Sequence, residues 1–127
     1  MRNFLYNVTL LLFLTLSACV GNYSVDLKVH NNTSKKITIT YVQKDNNKVF
    51  VKTLNPGQTF AISKYDRPGN EPEWKIVWKF NIKSVISENG IESWKDYNVE
   101  GAWDKEDLVQ RTKARLDIES NDFAQQL

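Results

Sequence analysis

Apolar and polar residues alternate along much of this chain, and the alternation has period two rather than the 3.6 of a helix. Val25, Leu27 and Val29 alternate with Asp26 and Lys28, which predicts a half-buried strand. Asn31-Asn32-Thr33-Ser34 is a turn cluster. Ile37, Ile39 and Tyr41 then alternate with Thr38 and Thr40, predicting a second strand paired to the first as a hairpin. After a turn at Asp45-Asn46-Asn47, Val49–Leu54 predicts a third strand with Phe50 and Val51 on opposite faces. Asn55-Pro56-Gly57 fits a tight turn, because Pro fixes φ and Gly tolerates positive φ. A short fourth strand follows over Thr59–Ser63, with Phe60 and Ile62 inward.

Tyr65–Glu73 has no periodicity and holds Pro68, Gly69, Asn70 and Pro72. It reads as a surface loop, where binding often sits, although a plain crossover between two sheets is the simpler reading. Trp74, Ile76, Trp78, Phe80 and Ile82 give the clearest alternation, predicting a long central strand. An aromatic row can stack on a ligand, but a small domain needs such side chains in its core, at about 1.5–3 kcal/mol each when fully buried. Glu88-Asn89-Gly90 lies between strand-like runs and is a strong hairpin signal. The return strand is expected over Ile91–Tyr97. Gly101, in an ambiguous stretch, is a candidate bulge. Asp104-Lys105-Glu106-Asp107 reads as a charged turn, either a loop or the start of a short helix running to Arg111. Lys113–Glu119 is the last predicted strand, with Ala114, Leu116 and Ile118 inward, and residues 120–127 are expected as a frayed tail with Phe123 tucked back.

Seven or eight short strands with frequent turns predict an all-β fold. The expected form is a small antiparallel β-sandwich, immunoglobulin-like or transthyretin-like in outline, over residues 24–119. A small barrel is the second solution.

The N-terminal region breaks the pattern. Arg2 is its sole charge, and Phe4–Leu16 is mostly apolar around Leu10-Leu11-Leu12-Phe13-Leu14. A charged start, a short apolar run and small residues at a cleavage point describe a secretory signal over residues 1–18. The run falls short of the ~20 residues a transmembrane helix needs. Removing it leaves 109 residues with 16 basic and 15 acidic side chains. That is one ordinary domain, and its scattered, balanced charge argues against nucleic acid as a partner.

Leu16-Ser17-Ala18-Cys19 resembles the lipobox of bacterial lipoproteins, a Leu followed by two small residues and a Cys. The resemblance covers residues 1–19 only. It implies a signal helix, a diacylglyceryl thioether on Cys19, cleavage before it by signal peptidase II, and acylation of the new N-terminus with chains such as palmitate. Cys19 is the only cysteine, so no intramolecular disulfide competes for it. Residues 19–23 are then a short tether. Val20, which is not Asp, implies by the same resemblance the periplasmic face of an outer membrane in a Gram-negative host.

Reactive groups are few. His30 is the only histidine, sits at a strand end, and has no nucleophile-elbow motif to serve. One His and one committed Cys cannot build a zinc site. Asp104, Glu106 and Asp107 lack EF-hand spacing and read as solvated charges. No catalytic, metal or cofactor site is therefore expected. The expectation is a non-catalytic protein-binding or assembly module, held on the bilayer through Cys19, with a protein partner: an accessory, inhibitor or immunity-like lipoprotein. Tyr65, Arg67, Trp94, Tyr97 and Trp103 are the candidate partner surface. The alternative is an envelope hydrolase or small-ligand carrier, which predicts a deep pocket with perturbed titratable groups.

Overall fold

The computed structural model describes residues 22–68 and 79–124. Within them the chain forms seven strands: β1 (Asn22–Asn32), β2 (Ile37–Gln43), β3 (Lys48–Leu54), β4 (Thr59–Pro68), β5 (Phe80–Ser87), β6 (Trp103–Leu108) and β7 (Arg111–Glu119). They build a four-stranded sheet in the order β4-β1-β7-β6 and a three-stranded sheet in the order β3-β2-β5. The all-β sandwich expected from the alternation is the observed fold. The signal segment, Cys19 and the Trp74–Trp78 part of the aromatic row lie outside the described residues.

The core is the meeting of the two inner faces. Tyr23, Val25, Leu27 and Val29 of β1 and Ala114, Leu116 and Ile118 of β7 face Ile37 and Ile39 of β2 and Phe80, Ile82 and Val85 of β5, and all are buried. Tyr41 stacks on Phe50 at 5.3 Å and meets Phe80 edge-on at 6.3 Å, a geometry aromatic quadrupoles favour.

Several expectations need correction. β1 does not pair with β2: it lies between β4 and β7, in the other sheet. The Asn31 side chain holds the connection between them. Its Oδ1 accepts from Thr33 N (3.0 Å) and Thr33 Oγ1 (2.7 Å), while its Nδ2 donates to Lys35 O (2.8 Å) and Leu54 O (3.1 Å). The chain thus crosses between sheets where a hairpin would have turned back within one. The sandwich is also not wholly antiparallel, because β1 and β7 run parallel, Ser24 opposite Arg111 through Asn32 opposite Glu119. First and last strands can pair this way because the intervening chain supplies the long crossover that parallel pairing needs.

Asn22 and Tyr23, expected in a tether over residues 19–23, belong instead to β1, and Tyr23 is buried. Tyr65–Pro68 extends β4 instead of opening a loop, and residues 69–73 of the expected loop lie outside the described residues. The Glu88–Gly90 turn forms, with Gly90 at φ 82°, but Ile91–Tyr97 makes only one bridge, Ile86 to Glu92. Asn98 then stands in for a strand. Its amide accepts from Ile82 N (2.8 Å) and donates to Ile82 O (2.9 Å), which satisfies part of the free edge of β5.

Asp104–Leu108 lies within strand β6, neither turn nor helix; alternation puts Asp104 and Glu106 outward while Asp107 accepts from Thr112 Oγ1 at 2.8 Å. The suspected bulge at Gly101 is a single 3-10 turn, Glu100–Ala102. Residues 120–123 are not frayed. They form a 3-10 turn with a capping box between Glu119 and Asp122, and Phe123 packs on the core.

Candidate functional site: the outer face of the small sheet

The two sheets present opposite chemistry to solvent. On the large sheet, the residues alternating with the core are Lys64 and Asp66, Asp26 and Lys28, Arg111, Lys113, Arg115, Asp117 and Glu119, and Asp104 and Glu106. Opposite charges face each other across the strands, as in Asp104 with Arg115 and Glu106 with Lys113. The tightest pair is Arg111 with Asp26, where Nε donates at 3.0 Å and the second guanidinium nitrogen lies closer still. The Arg111 hydrogen bond holds the Asp26 carboxyl below its usual range, outweighing the opposing effect of burial; Lys64 and Lys28 add to the lowering. A depression of about 350 Å³ on this face is lined by charges of both signs.

The small sheet differs. Alternation sends Ile37, Ile39 and Tyr41 inward, so Thr38, Thr40 and Val42 face out. Opposite them on β3 are Thr53, Val51 and Val49, and on β5 are Ile86, Ser84 and Asn81. These nine side chains carry no charge. Val49 is 59% exposed, Val51 66% and Ile86 38%; isolated exposed apolar residues are ordinary, but a contiguous uncharged sheet face is not. β5 contributes one charge, Lys83, the residue left unpaired at the bulge.

Beside this face lies the edge of β3, whose only strand partner among the described residues is β2. Open edges invite further strands, and inward-pointing lysines restrain indiscriminate pairing. Lys48 and Lys52 occupy that role. Lys48 Nζ lies 5.1 Å from the Phe50 ring and Lys52 Nζ 5.9 Å from the Phe60 ring of β4, so both ammonium groups cover the sandwich margin.

The residues expected to form a partner surface do not gather. Tyr97 (2% exposed) and Trp103 (5%) are core residues. Trp103 Nε1 donates to Tyr97 O at 2.9 Å, and its ring packs on Phe80. Tyr97 OH donates to Asp122 Oδ2 at 2.9 Å and meets Ser93 Oγ at 2.7 Å; burial, with the Asp122 charge adding to it, pushes the phenol well above its ordinary pKa. Both aromatics therefore supply core volume and close buried hydrogen bonds.

Tyr65 is half-buried on β4 under the Lys79 ammonium, 4.5 Å from the ring. Arg67 lies on β4 opposite Tyr23. Trp94 is exposed, with Nε1 donating to Asn121 O at 3.1 Å. Tyr65 is level with Val25, hence with Thr112, whereas Trp94 binds beyond Glu119. Seven residues of strand separate these levels, roughly 23 Å. Leu16, Ser17, Ala18 and Cys19 lie outside the described residues.

Sequence reasoning missed the Val49–Val51–Thr face. A signal was present: Val49-Phe50-Val51 is apolar on both sides of one strand, and only one side can face the core. Elsewhere, His30 Nδ1 bonds Thr59 Oγ1 at 2.6 Å. Among the described residues no three His, Cys, Asp or Glu side chains come together as a metal-holding group. No protein-family model, curated protein or solved structure matches this chain.

Proposed function

We propose that the chain is a bacterial lipoprotein, anchored through acylated Cys19 on the periplasmic face of the outer membrane of a Gram-negative host. Its sandwich is a non-catalytic protein-binding or assembly module of the accessory, inhibitor or immunity type. The observation that carries the binding role is the uncharged face of Val49, Val51, Thr53, Thr38, Thr40, Val42 and Ile86 beside the β3 edge, which has no second strand partner among the described residues. The partner presents a flat apolar surface or an extended segment, which main-chain hydrogen bonding on a sheet edge can hold. The anchoring role rests on Leu16-Ser17-Ala18-Cys19. Two or more acyl chains hold a protein stably, whereas one gives only marginal attachment.

The two halves have separate tests. Cys19→Ser should abolish palmitate labelling and leave an uncleaved precursor; a normally processed, soluble product would refute the anchor. Paired Val49→Glu and Val51→Glu substitutions should leave labelling and folding intact while removing a partner captured by cross-linking in membranes. Unchanged capture would refute the binding face.

A further inference from the structure

At one end of the sandwich, two adjacent hydrophobic side chains stand exposed to solvent. The β6–β7 connection is a two-residue turn, Val109-Gln110, closed by the pair Leu108 and Arg111. Val109 is 94% exposed, the highest value among the exposed large hydrophobics of the described residues, and Leu108 is 42% exposed. Turns of this length normally carry Gly, Asn, Asp or Ser, whose backbones and side chains suit them. Here Gln110 takes the positive φ of 58°, and a β-branched residue stands at the tip. Neither turn chemistry nor packing accounts for Leu108-Val109.

Its position does. β1 begins at Asn22, and Ser24 N donates to Gln110 O at 3.0 Å. With Ser24 level with Arg111 in the parallel β1–β7 register, the turn stands abreast of Asn22 and Tyr23. Three peptide units separate Asn22 from Cys19, so the lipidated residue lies at most about 11 Å from the start of β1, even fully extended. The end of the domain from which the anchor departs is thus the end that carries the apolar tip. On the strands behind the tip, Arg111 is paired with Asp26, and Lys105 with Asp107 at 3.3 Å.

We propose that Leu108-Val109 is a second membrane contact, a turn that dips into the interface of the same bilayer that holds the acyl chains of Cys19. This rests on the lipoprotein reading above. It adds orientation: one lipidated residue lets a domain swivel, and a second apolar point fixes which end faces the lipid. The strands then stand away from the surface, the uncharged face of the small sheet is turned sideways, and Trp94 and Phe123 lie at the far end. The contact depends on apolar insertion.

The test uses the full lipidated chain in vesicles of phosphatidylethanolamine and phosphatidylglycerol. In Val109→Cys the new thiol is the only one free, because the single native cysteine is the acylated Cys19. An environment-sensitive fluorophore on it should be quenched by nitroxide-bearing lipids several-fold more strongly than the same fluorophore in Ile91→Cys, at the far end. Leu108→Cys should behave like Val109→Cys, guarding against a folding artefact at one site. Equal quenching at both ends, in protein that carries palmitate, would overturn the membrane contact and leave the anchor standing. Absence of palmitate on the unaltered chain would bring down the anchor, and the membrane contact with it.

Discussion

Asn31 is fully buried, and its side chain is the hinge between the two sheets. Replacing it with alanine removes an acceptor for Thr33 N and Oγ1 and a donor for the carbonyls of Lys35 and Leu54. The Leu54 carbonyl is buried with its bond, so its loss carries the full cost of an unpaired group, about 1–3 kcal/mol. The groups nearer water recover part of their bonding and add less. The backbone bonds from Asn31 N to Gln58 O (2.9 Å) and from Gly57 N to Asn31 O (2.8 Å) survive the substitution. The expected destabilisation of Asn31→Ala is therefore about 2–4 kcal/mol, which for a domain near 100 residues lowers Tm by about 10–20 °C. Urea denaturation of the chain lacking residues 1–18 measures it directly.

Asn31→Asp sharpens the test. The aspartate still accepts from Thr33, but its second oxygen faces two carbonyls. That disfavours the ionised form and raises the folded pKa above the unfolded value. A raised folded pKa contributes stability that is present at low pH and lost as pH rises through it. Asn31→Asp should therefore be less stable than Asn31→Ala at neutral pH and gain on it as pH falls towards 4. A change of under about 0.5 kcal/mol in Asn31→Ala, the range of an ordinary surface substitution, would refute the hinge. So would an Asn31→Asp variant as stable as the unaltered domain at neutral pH.

Other outcomes follow from the same geometry. Asp26 has a lowered folded pKa, so the Arg111 pair contributes stability above the unfolded value of about 3.8 that is lost as pH falls through the folded one. Arg111→Ala should cost about 1 kcal/mol at neutral pH, modest because the guanidinium is half-exposed, and the difference should shrink below that pH in acid titration of stability. Gly57 sits at φ 78° with open space around it, while Gly101 is equally open without positive φ. Gly57→Ala should cost about 1 kcal/mol from backbone conformation alone, and Gly101→Ala should cost little, as chemical denaturation will read. Tyr97→Phe removes the hydroxyl shared by Ser93 and Asp122 and should destabilise by about 1–2 kcal/mol; a neutral result in the same assay would mean that Glu119 N and Lys95 suffice for Asp122.

Much of the sandwich was legible because β-strand alternation is local. Val25, Leu27 and Val29, or Ala114, Leu116 and Ile118, announce a buried side whichever strands they later meet. The same locality explains the errors. Asp104–Asp107 reads as a turn because four charges dominate it, yet strand pairing with β7 sets Asp104 against Arg115 and Glu106 against Lys113 and gives Asp107 the Thr112 hydroxyl, which makes a strand favourable. Ile91–Tyr97 follows a good hairpin turn, yet Trp94 N is taken by Asp122 O (3.1 Å) and Tyr97 by the core, so pairing with β5 stops after one bridge. Tyr97 and Trp103 look like surface aromatics beside Gly and charge, and only the packing of the two sheets buries them.

By itself the sequence carried two local patterns: a short apolar run leading to Leu16-Ser17-Ala18-Cys19, and a series of two-sided strands with one apolar side each. Both depend on neighbours within a few residues. The tertiary structure decided which strands share a sheet, because pairing joins residues far apart in the chain; the buried Asn31 side chain holds the crossing from β1 to β2. It also decided that one outer face is a lattice of paired charges and the other a bare surface of Val and Thr. That contrast arises from residues far apart in the chain, Val49 and Thr40 and Ile86, whose meeting no local pattern records.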